Sequence, residues 1–146
     1  VLAKLQTAMT QTLGSKEVRD KLYTFGLITQ DIEEIMAYVV QKGMINEERF
    51  AKAFAGGKFR QKKWGKNKII RELKNKQISD YCIEKAMKEI DPDDYANKLQ
   101  QIAEKYFKNI KTGTLFEKKL KTVKYLVGRG YGYEECQSIM KVDFEN

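Results

Sequence analysis

Histidine is absent from this sequence of 146 residues, and only two cysteines occur. Without histidine, the Ser-His-Asp and Cys-His catalytic arrangements are excluded. A zinc site draws most of its ligands from cysteine and histidine, and the two candidates, Cys82 and Cys136, lie far apart without a CxxC motif. We therefore expect no catalytic residue, no metal and no cofactor. We interpret both cysteines as small buried residues of a protein in a reducing compartment.

Long apolar runs are also missing. The longest is the segment 35–40, far shorter than the ~18 residues that span a bilayer. No charged and then apolar leader precedes a small-residue cleavage site. These absences predict a soluble, cytoplasmic protein that makes no membrane contact. At 42 % hydrophobic and 11 % aromatic residues, the composition is that of a globular chain.

Positive charge is abundant and unevenly distributed. The net charge is +8, yet residues 1–45 carry equal numbers of basic and acidic side chains, whereas residues 46–91 carry 13 basic and 7 acidic ones. Residues 92–146 carry 10 and 8, and the stretch 58–76 alone holds nine bases against a single acid, Glu72. Such a local concentration of cations indicates a polyanionic partner.

Apolar residues recur at helical spacing, while strand-like alternation is nearly missing and only one proline, Pro92, occurs. In the last long helix, for example, the spaced residues are Phe116, Leu120, Val123 and Val127. The sequence therefore predicts an all-α fold. The nine predicted helices cover residues 1–13, 15–25, 29–42, 46–56, 64–76, 79–90, 92–112, 114–128 and 132–141.

The ends of these helices carry recognisable signals. Ser15, Asn46 and Ser79 are predicted N-caps, and Asp91 is predicted to cap a helix with proline at its first position. Glycine residues that look like helix stops are Gly26, Gly43 and Gly113.

A repeat underlies the helical pattern. Spaced apolar residues that begin at Leu22 match a set that begins at Leu73, and the pattern returns at Leu126. The residue before the second member of each set is Gly26, Gln77 or Gly130. Three units of three helices fit the pattern, with boundaries near 1–45, 46–91 and 92–146. Because one unit is too small to bury its apolar face, we expect the units to stack as a tandem array.

Three segments of the sequence carry family-like motifs: residues 43–51 read GMINEERFA, residues 64–78 read WGKNKIIRELKNKQI, and residues 17–22 read EVRDKL. These segments resemble those of the RecX proteins, a family of regulators of the RecA recombinase. In the same order, the family patterns are G-x-I-(D/N)-(D/E)-x-R-(F/Y)-A, (W/K)-G-x-x-(K/R)-I-x-x-x-L-x-x-K-(G/x)-I and E-(L/V)-x-x-K-L. The sequence departs from the family where a basic or cysteine-bearing stretch is replaced by 11–14, QTLG, and where Gln77 replaces a glycine.

The resemblance implies a non-enzymatic regulator of recombination, DNA repair and the SOS response. It implies a curved, elongated array with a right-handed type of superhelix that enters the groove of a RecA filament on single- or double-stranded DNA. It also implies interference with filament growth, ATPase activity and strand exchange. We expect the chain to act as a monomer without a small-molecule substrate.

The basic stretch supplies the candidate binding residues. Phosphates attract such clusters through counterion release. Trp64 within it fits two interpretations, stacking on an unpaired base or packing beneath its neighbours. Lys118 and Lys121 would extend the same surface, and Arg129 could reach a phosphate or simply follow a helix end. The candidate DNA- or filament-binding residues are Lys58, Arg60, Lys62, Lys63, Trp64, Lys66, Lys68, Arg71, Lys74, Lys118 and Lys121.

Two other functions remain open from the sequence alone. A helical module that binds DNA or RNA without any recombinase would share the basic stretch. A helical-repeat scaffold whose charge meets an acidic protein would share the repeat. If the protein leaves the ATPase activity of the recombinase unchanged, the first alternative is favoured. If the protein does not bind nucleic acid at all, the second alternative is favoured.

Overall fold

The computed structural model describes residues 14–142, and all regular secondary structure in that range is helical. The expected helix over residues 1–13 lies outside the described residues. The observed helices are α1 Ser15–Thr24, α2 Thr29–Gln41, α3 Glu47–Gly57, α4 Lys66–Asn75, α5 Asp80–Lys88, α6 Pro92–Asn109, α7 Leu115–Gly128 and α8 Tyr133–Val142, with a π-helical turn at Lys58–Lys62 after α3. The all-α prediction is confirmed for this range.

Three of the four predicted N-caps are confirmed. Asn46, Ser79 and Asp91 each accept a hydrogen bond from a backbone N–H group of the following turn, at 3.0, 3.3 and 2.9 Å. The prediction for Ser15 is wrong: Gly14 occupies the cap position, and Ser15 is the first helical residue. Gly14 is buried and faces the ring of Phe50, so little room exists there for a capping side chain.

The break between paired helices recurs at all three positions of the sequence repeat. Gly26, Gln77 and Gly130 have φ angles of +77°, +60° and +101°. Each N–H group donates to the carbonyl three residues earlier, at 3.0, 2.9 and 3.0 Å. A left-handed residue of this kind commonly ends a helix and usually is glycine. Gln77 adopts the same conformation in spite of its side chain.

The described chain forms two compact units. The first comprises the described residues up to Ala55 together with Glu72–Met87, and the second comprises Gly56–Arg71 and the described residues from Lys88 onwards. In the first unit α1 packs against α2. Its core includes Val18, Leu22 and Ile32, and Lys76, which follows the end of α4, pairs with Glu17 of α1.

In the second unit α7 packs against both α6 and α8. Its buried residues include Phe59, Ile69 and Leu99, and stacked rings of Tyr106 and Tyr125 join α6 to α7 at 3.9 Å between centroids. None of the described helices is both long and apolar enough to cross a membrane.

The apolar pattern of α7 predicts the helix correctly but not its buried face. Val123 is buried, whereas Phe116, Leu120 and Val127 are exposed. Local periodicity shows that these residues share a side of the helix. It does not show how far the neighbouring helices cover that side.

Candidate nucleic-acid interface

The candidate binding residues concentrate in residues 58–71, which we call the basic segment. It starts with the π-helical turn, where the chain winds more loosely than in an α-helix, and such turns are frequent at functional sites. Lys63 ends the turn in the left-handed conformation, at φ +57°. The N–H of Trp64 then donates to the carbonyl of Lys58 at 3.3 Å, and α4 begins at Lys66. The sequence predicted α4 but not the π-helical turn before it.

Trp64 lies at the centre of the basic segment and is half-buried. The ammonium group of Lys58 lies 5.1 Å from the centre of its ring, and that of Lys68 lies 4.5 Å away. Both distances are within the range of cation–π attraction. Trp64 therefore is neither a fully buried core residue nor a freely exposed stacking platform. It gathers two of the candidate lysines around one indole ring.

Four cations of the basic segment point into solvent. Arg60, Lys62, Lys63 and Arg71 are exposed. Lys66 is half-buried instead, with its ammonium group 4.8 Å from the ring centre of Tyr95. The exposed four are the ones that a phosphate backbone can reach without displacing a packed side chain.

A close backbone contact holds the basic segment against the loop between α7 and α8. The N–H of Gly65 donates to the carbonyl of Arg129 at 2.8 Å, and the N–H of Asn67 donates to the carbonyl of Gly130 at 2.9 Å. The two glycines approach so closely that a β-carbon on Gly65 would overlap the Gly130 backbone. We call this contact the glycine clamp. Only glycine at both positions permits it.

Side chains from the same loop reinforce the glycine clamp. The Nη2 of Arg129 donates to the carbonyl of Lys62 at 2.6 Å, and its Nη1 donates to the hydroxyl of Tyr125 at 3.3 Å. The hydroxyl of Tyr131 donates to the carbonyl of Lys63 at 3.0 Å. The Arg129 side chain thus binds one backbone carbonyl of the basic segment, so it is a positioning residue. The sequence had left open whether it reaches a phosphate.

Buried aromatic residues lie beneath the basic segment. The ring of Tyr95 lies 5.9 Å from that of Phe59 and 5.3 Å from that of Tyr131, and its hydroxyl accepts a hydrogen bond from the N–H of Lys66 at 3.2 Å. Burial raises the pKa of Tyr95 to about 12, and burial also raises the pKa of Tyr131. Both phenols are therefore neutral near pH 7 and add no negative charge under the cations. Sequence reasoning missed Tyr95 because nothing local links it to the basic stretch.

The remaining candidate residues lie on other parts of the helices. Lys74 is exposed in the last turn of α4. Lys118 and Lys121 lie three residues apart on α7, so they share one side of that helix, with Lys118 half-buried and Lys121 exposed.

The two cysteines differ in burial. Cys136 is fully buried, as expected, and burial raises its pKa to about 11, whereas Cys82 is only partly buried. Thiols become nucleophilic and bind metals as thiolates, so a raised pKa suppresses both chemistries at Cys136. Across residues 14–142, side chains of the metal-binding types do not gather into a group that could hold an ion.

The fold and the interface define a small helical-repeat protein with a cationic segment fixed on buried aromatic rings. Comparison with protein families matches residues 46–87 to the second three-helix domain of RecX and residues 93–140 to the third. Among relatives, Regulatory protein RecX of Vibrio vulnificus is 34 % identical over 127 residues, which cover 85 % of this chain and 79 % of the relative. The chain belongs to the RecX family.

Other relatives carry the same name. Regulatory protein RecX of Escherichia coli is 34 % identical over 77 % of this chain, and that of Clostridium perfringens is 28 % identical over 94 % of it. The chain spans 66 % and 65 % of the length of those two relatives. A crystal structure of regulatory protein RecX matches with a TM-score of 0.83 at 17 % identity, covering 95 % of this chain and 71 % of that one. The structure of RecX from Lactobacillus salivarius matches with a TM-score of 0.80 at 23 % identity, covering 95 % and 94 %.

Proposed function

We propose that this chain binds the RecA–DNA filament and limits its growth, its ATPase activity and strand exchange. The basic segment contacts the DNA in this proposal, and no residue acts as a catalyst. Membership of a family of regulatory proteins supports the regulatory role. We further propose that the chain acts as a cytoplasmic monomer that consists of three units, residues 1–45, 46–91 and 92–146.

The observation that carries the proposal is that the basic segment presents exposed cations on a fixed backbone. Arg60, Lys62, Lys63 and Arg71 are exposed, while backbone and side-chain hydrogen bonds from the α7–α8 loop fix the chain that bears them. A cationic surface held in place loses little conformational entropy on binding. Phosphate contacts supply sequence-independent affinity, as a regulator of a filament on any DNA sequence requires.

Occupying the phosphates gives a physical route to inhibition. A filament grows when a further recombinase subunit takes up adjacent DNA. A protein that binds the phosphates of this adjacent DNA competes with the incoming recombinase subunit for the same contacts. The more tightly it binds that DNA, the more it opposes filament growth by mass action. ATPase activity then falls because fewer subunits are assembled on DNA.

The first test is the ATPase activity of RecA on single-stranded DNA with increasing amounts of this protein. We expect the steady-state rate to fall as the protein is added. An unchanged rate, together with intact DNA binding, would identify a nucleic-acid-binding module that acts without a recombinase. Absence of DNA binding at any salt concentration would instead indicate a scaffold for proteins.

The second part of the test uses charge reversal at the four exposed positions, Arg60→Glu, Lys62→Glu, Lys63→Glu and Arg71→Glu. For the unmodified protein, five or six phosphate contacts on duplex DNA give a log–log slope of affinity against salt of about −5. Reversal should remove about 3 to 4 units of that slope and abolish ATPase inhibition. Full inhibition by the folded variant would exclude the basic segment from the mechanism.

A matched control reverses four exposed lysines outside the candidate site, Lys21→Glu, Lys42→Glu, Lys105→Glu and Lys141→Glu. Both sets lower the net charge from +8 to zero. Long-range attraction is therefore weakened equally in the two variants, and only the local contacts differ. We expect the control to retain most of the inhibition, with helix content checked for both by circular dichroism.

A further inference from the structure

A stripe of apolar side chains on α7 faces solvent. It consists of Phe116, Leu120 and Val127, which are 75, 42 and 41 % exposed. Their spacing of four and seven residues places them on one side of the helix. Val123 lies among them but is buried, so the stripe extends the apolar side of α7 beyond the core of its unit. We call these three exposed residues the α7 stripe.

Lysines border the α7 stripe. At about 100° per residue, Lys124 lies about 60° to one side of the stripe and is exposed, while Lys119 lies about 80° to the other side and is half-buried. The acidic residue of α7, Glu117, accepts the N–H of Thr114 in a capping box, so its carboxylate is held at the helix start. An apolar strip with a positive border complements an apolar patch with a negative border.

The repeat shows that α4 lacks this apolar character. The offset that aligns Leu126 with Leu73 also aligns Leu120 with Asn67 and Val127 with Lys74. All four of these surface positions are exposed in their own helices. One helix side therefore is polar or cationic in α4 and apolar in α7. Both helices carry cations beside this side, since Lys119 aligns with Lys66 and Lys124 with Arg71.

Polar residues occupy the equivalent exposed positions of α4, so the fold does not require apolar residues there. Exposed apolar residues also lower solubility, so solubility does not explain them either. Contiguous exposed apolar side chains rimmed by polar ones usually mark a surface for a macromolecular partner. Duplex DNA is a poor occupant, because its outer surface presents phosphates. The bases of a single strand stack on flat aromatic faces, which the aliphatic Leu120 and Val127 do not offer. A second copy of this chain is also a poor occupant, because its own α7 stripe carries the same positive border.

We propose that the α7 stripe is a protein-binding surface, whose occupant is an apolar patch bordered by carboxylates. The inference rests on the proposed function, in which that patch belongs to a recombinase subunit of the filament. The basic segment then contacts the DNA and the α7 stripe contacts the protein. Binding to the filament exceeds binding to bare DNA because only the filament presents both partners.

The experiment compares two ligands, bare single-stranded DNA and RecA assembled on the same DNA with a non-hydrolysable ATP analogue. The variant is Phe116→Gln with Leu120→Gln, both at exposed positions that leave the buried Val123 in place. We expect its affinity for bare DNA to change by less than about twofold, because the basic segment is untouched. Its affinity for the filament should fall by about tenfold or more, as for the loss of apolar anchors in an interface.

A control variant removes two exposed apolar side chains elsewhere, Ile28→Gln with Tyr81→Gln, and should bind both ligands as the unmodified protein does. Equal filament affinity for the α7 variant and the unmodified protein would overturn the inference while leaving the proposed function standing. Equal loss on bare DNA and on the filament would overturn it by making α7 part of the DNA site.

Other occupants of the α7 stripe have their own signatures. A dimer of the unmodified protein in sedimentation velocity, dissolved by the α7 variant, would identify a second copy and contradict the inference. Binding to anionic phosphatidylserine vesicles that the variant loses would identify a lipid surface and contradict it as well. Failure of the unmodified protein to bind the filament while it binds bare DNA would remove the proposed function, and the inference with it.

Discussion

Gly65 fixes the position of the basic segment through a contact that admits no side chain. A β-carbon there would overlap the backbone of Gly130, while the N–H of Gly65 must still reach the carbonyl of Arg129. We expect Gly65→Ala to lower the free energy of unfolding by about 3 kcal/mol, because backbone on both sides must shift to admit the methyl group. Urea denaturation measures the change, and DNA affinity at fixed salt should fall with it.

Gly57→Ala is the control for this substitution. Gly57 has helical backbone angles, and a β-carbon on it meets no atom within 4 Å. Alanine is the better helix former, so this variant should be as stable as the unmodified protein or more stable by about 0.5 kcal/mol. If both alanine variants unfolded at the same urea concentration, the glycine clamp would have no energetic role.

At the same scale, the sequence identified the charged residues but not their partners. The density of cations pointed to Lys62, Lys63 and their neighbours, and this followed from counting alone. The role of Arg129 could not be predicted, because its acceptor, the carbonyl of Lys62, is distant in sequence and belongs to the backbone. Trp64 remained open for a similar reason, since its exposure depends on where Lys58 and Lys68 place their ammonium groups.

Among the elements, α4 differs from α1 and α7 in the left-handed residue that follows its end. Gln77 holds a φ of +60°, where the equivalent residues of the repeat are glycines. The left-handed conformation costs a residue with a side chain roughly 1–2 kcal/mol. Glycine avoids this cost, but part of the gain is lost because glycine is more flexible in the unfolded state. We expect Gln77→Gly to raise the free energy of unfolding by about 0.5–1 kcal/mol, measured by urea denaturation.

The same change in the middle of a helix should act in the opposite direction. Gln101 is exposed within α6, so Gln101→Gly should destabilise the protein by about 0.5 kcal/mol. A loss of stability for Gln77→Gly would mean that the glutamine side chain contributes contacts that outweigh its backbone strain.

Helix positions were predicted well because their signals are local. Caps at Asn46, Ser79 and Asp91 act on N–H groups two or three residues away, and apolar spacing reports the helical period directly. The π-helical turn at Lys58–Lys62 was missed, since its loose winding carries no spacing signal and its end is tied to the α7–α8 loop. Likewise, the exposure of Phe116 on α7 depends on how far neighbouring helices extend.

For the molecule as a whole, the buried ionisable groups lower the stability of the fold at alkaline pH. Burial raises the pKa of Cys136 from 9.0 to about 11 and that of Tyr95 from 10.0 to about 12. A group whose folded pKa is raised contributes its full stability below its unfolded pKa and loses it as the pH rises through the folded value. We expect the free energy of unfolding to be constant up to about pH 8.5 and to fall by about 3 kcal/mol at pH 10.5.

Urea denaturation at pH 8.0 and pH 10.5 checks this expectation. Cys136→Ala removes the thiol, so the variant should lose less stability between the two pH values than the unmodified protein, although it starts from a lower value because a cavity replaces the sulfur. A free energy of unfolding that stays level to pH 10.5 in the unmodified protein would contradict the assignment of these groups as buried and neutral.

The general character of the molecule followed from the sequence, but its finer division did not. The helical class and the family follow from periodicity and from the segments 43–51 and 64–78. The boundaries 1–45, 46–91 and 92–146 stay a prediction. Repeats report similarity along the chain, whereas the compact units of the described residues group the stretch 56–71 with the chain beyond Lys88.

The two ammonium groups beside the indole of Trp64 give the protein a built-in reporter. The sequence holds one tryptophan, and it lies in the segment that we expect to meet phosphates. Any polyanion that draws Lys58 or Lys68 away from the ring changes the electric field at the chromophore. Its ultraviolet emission therefore follows occupancy of the basic segment without a label or a mutation, and separates engagement there from engagement anywhere else on the surface.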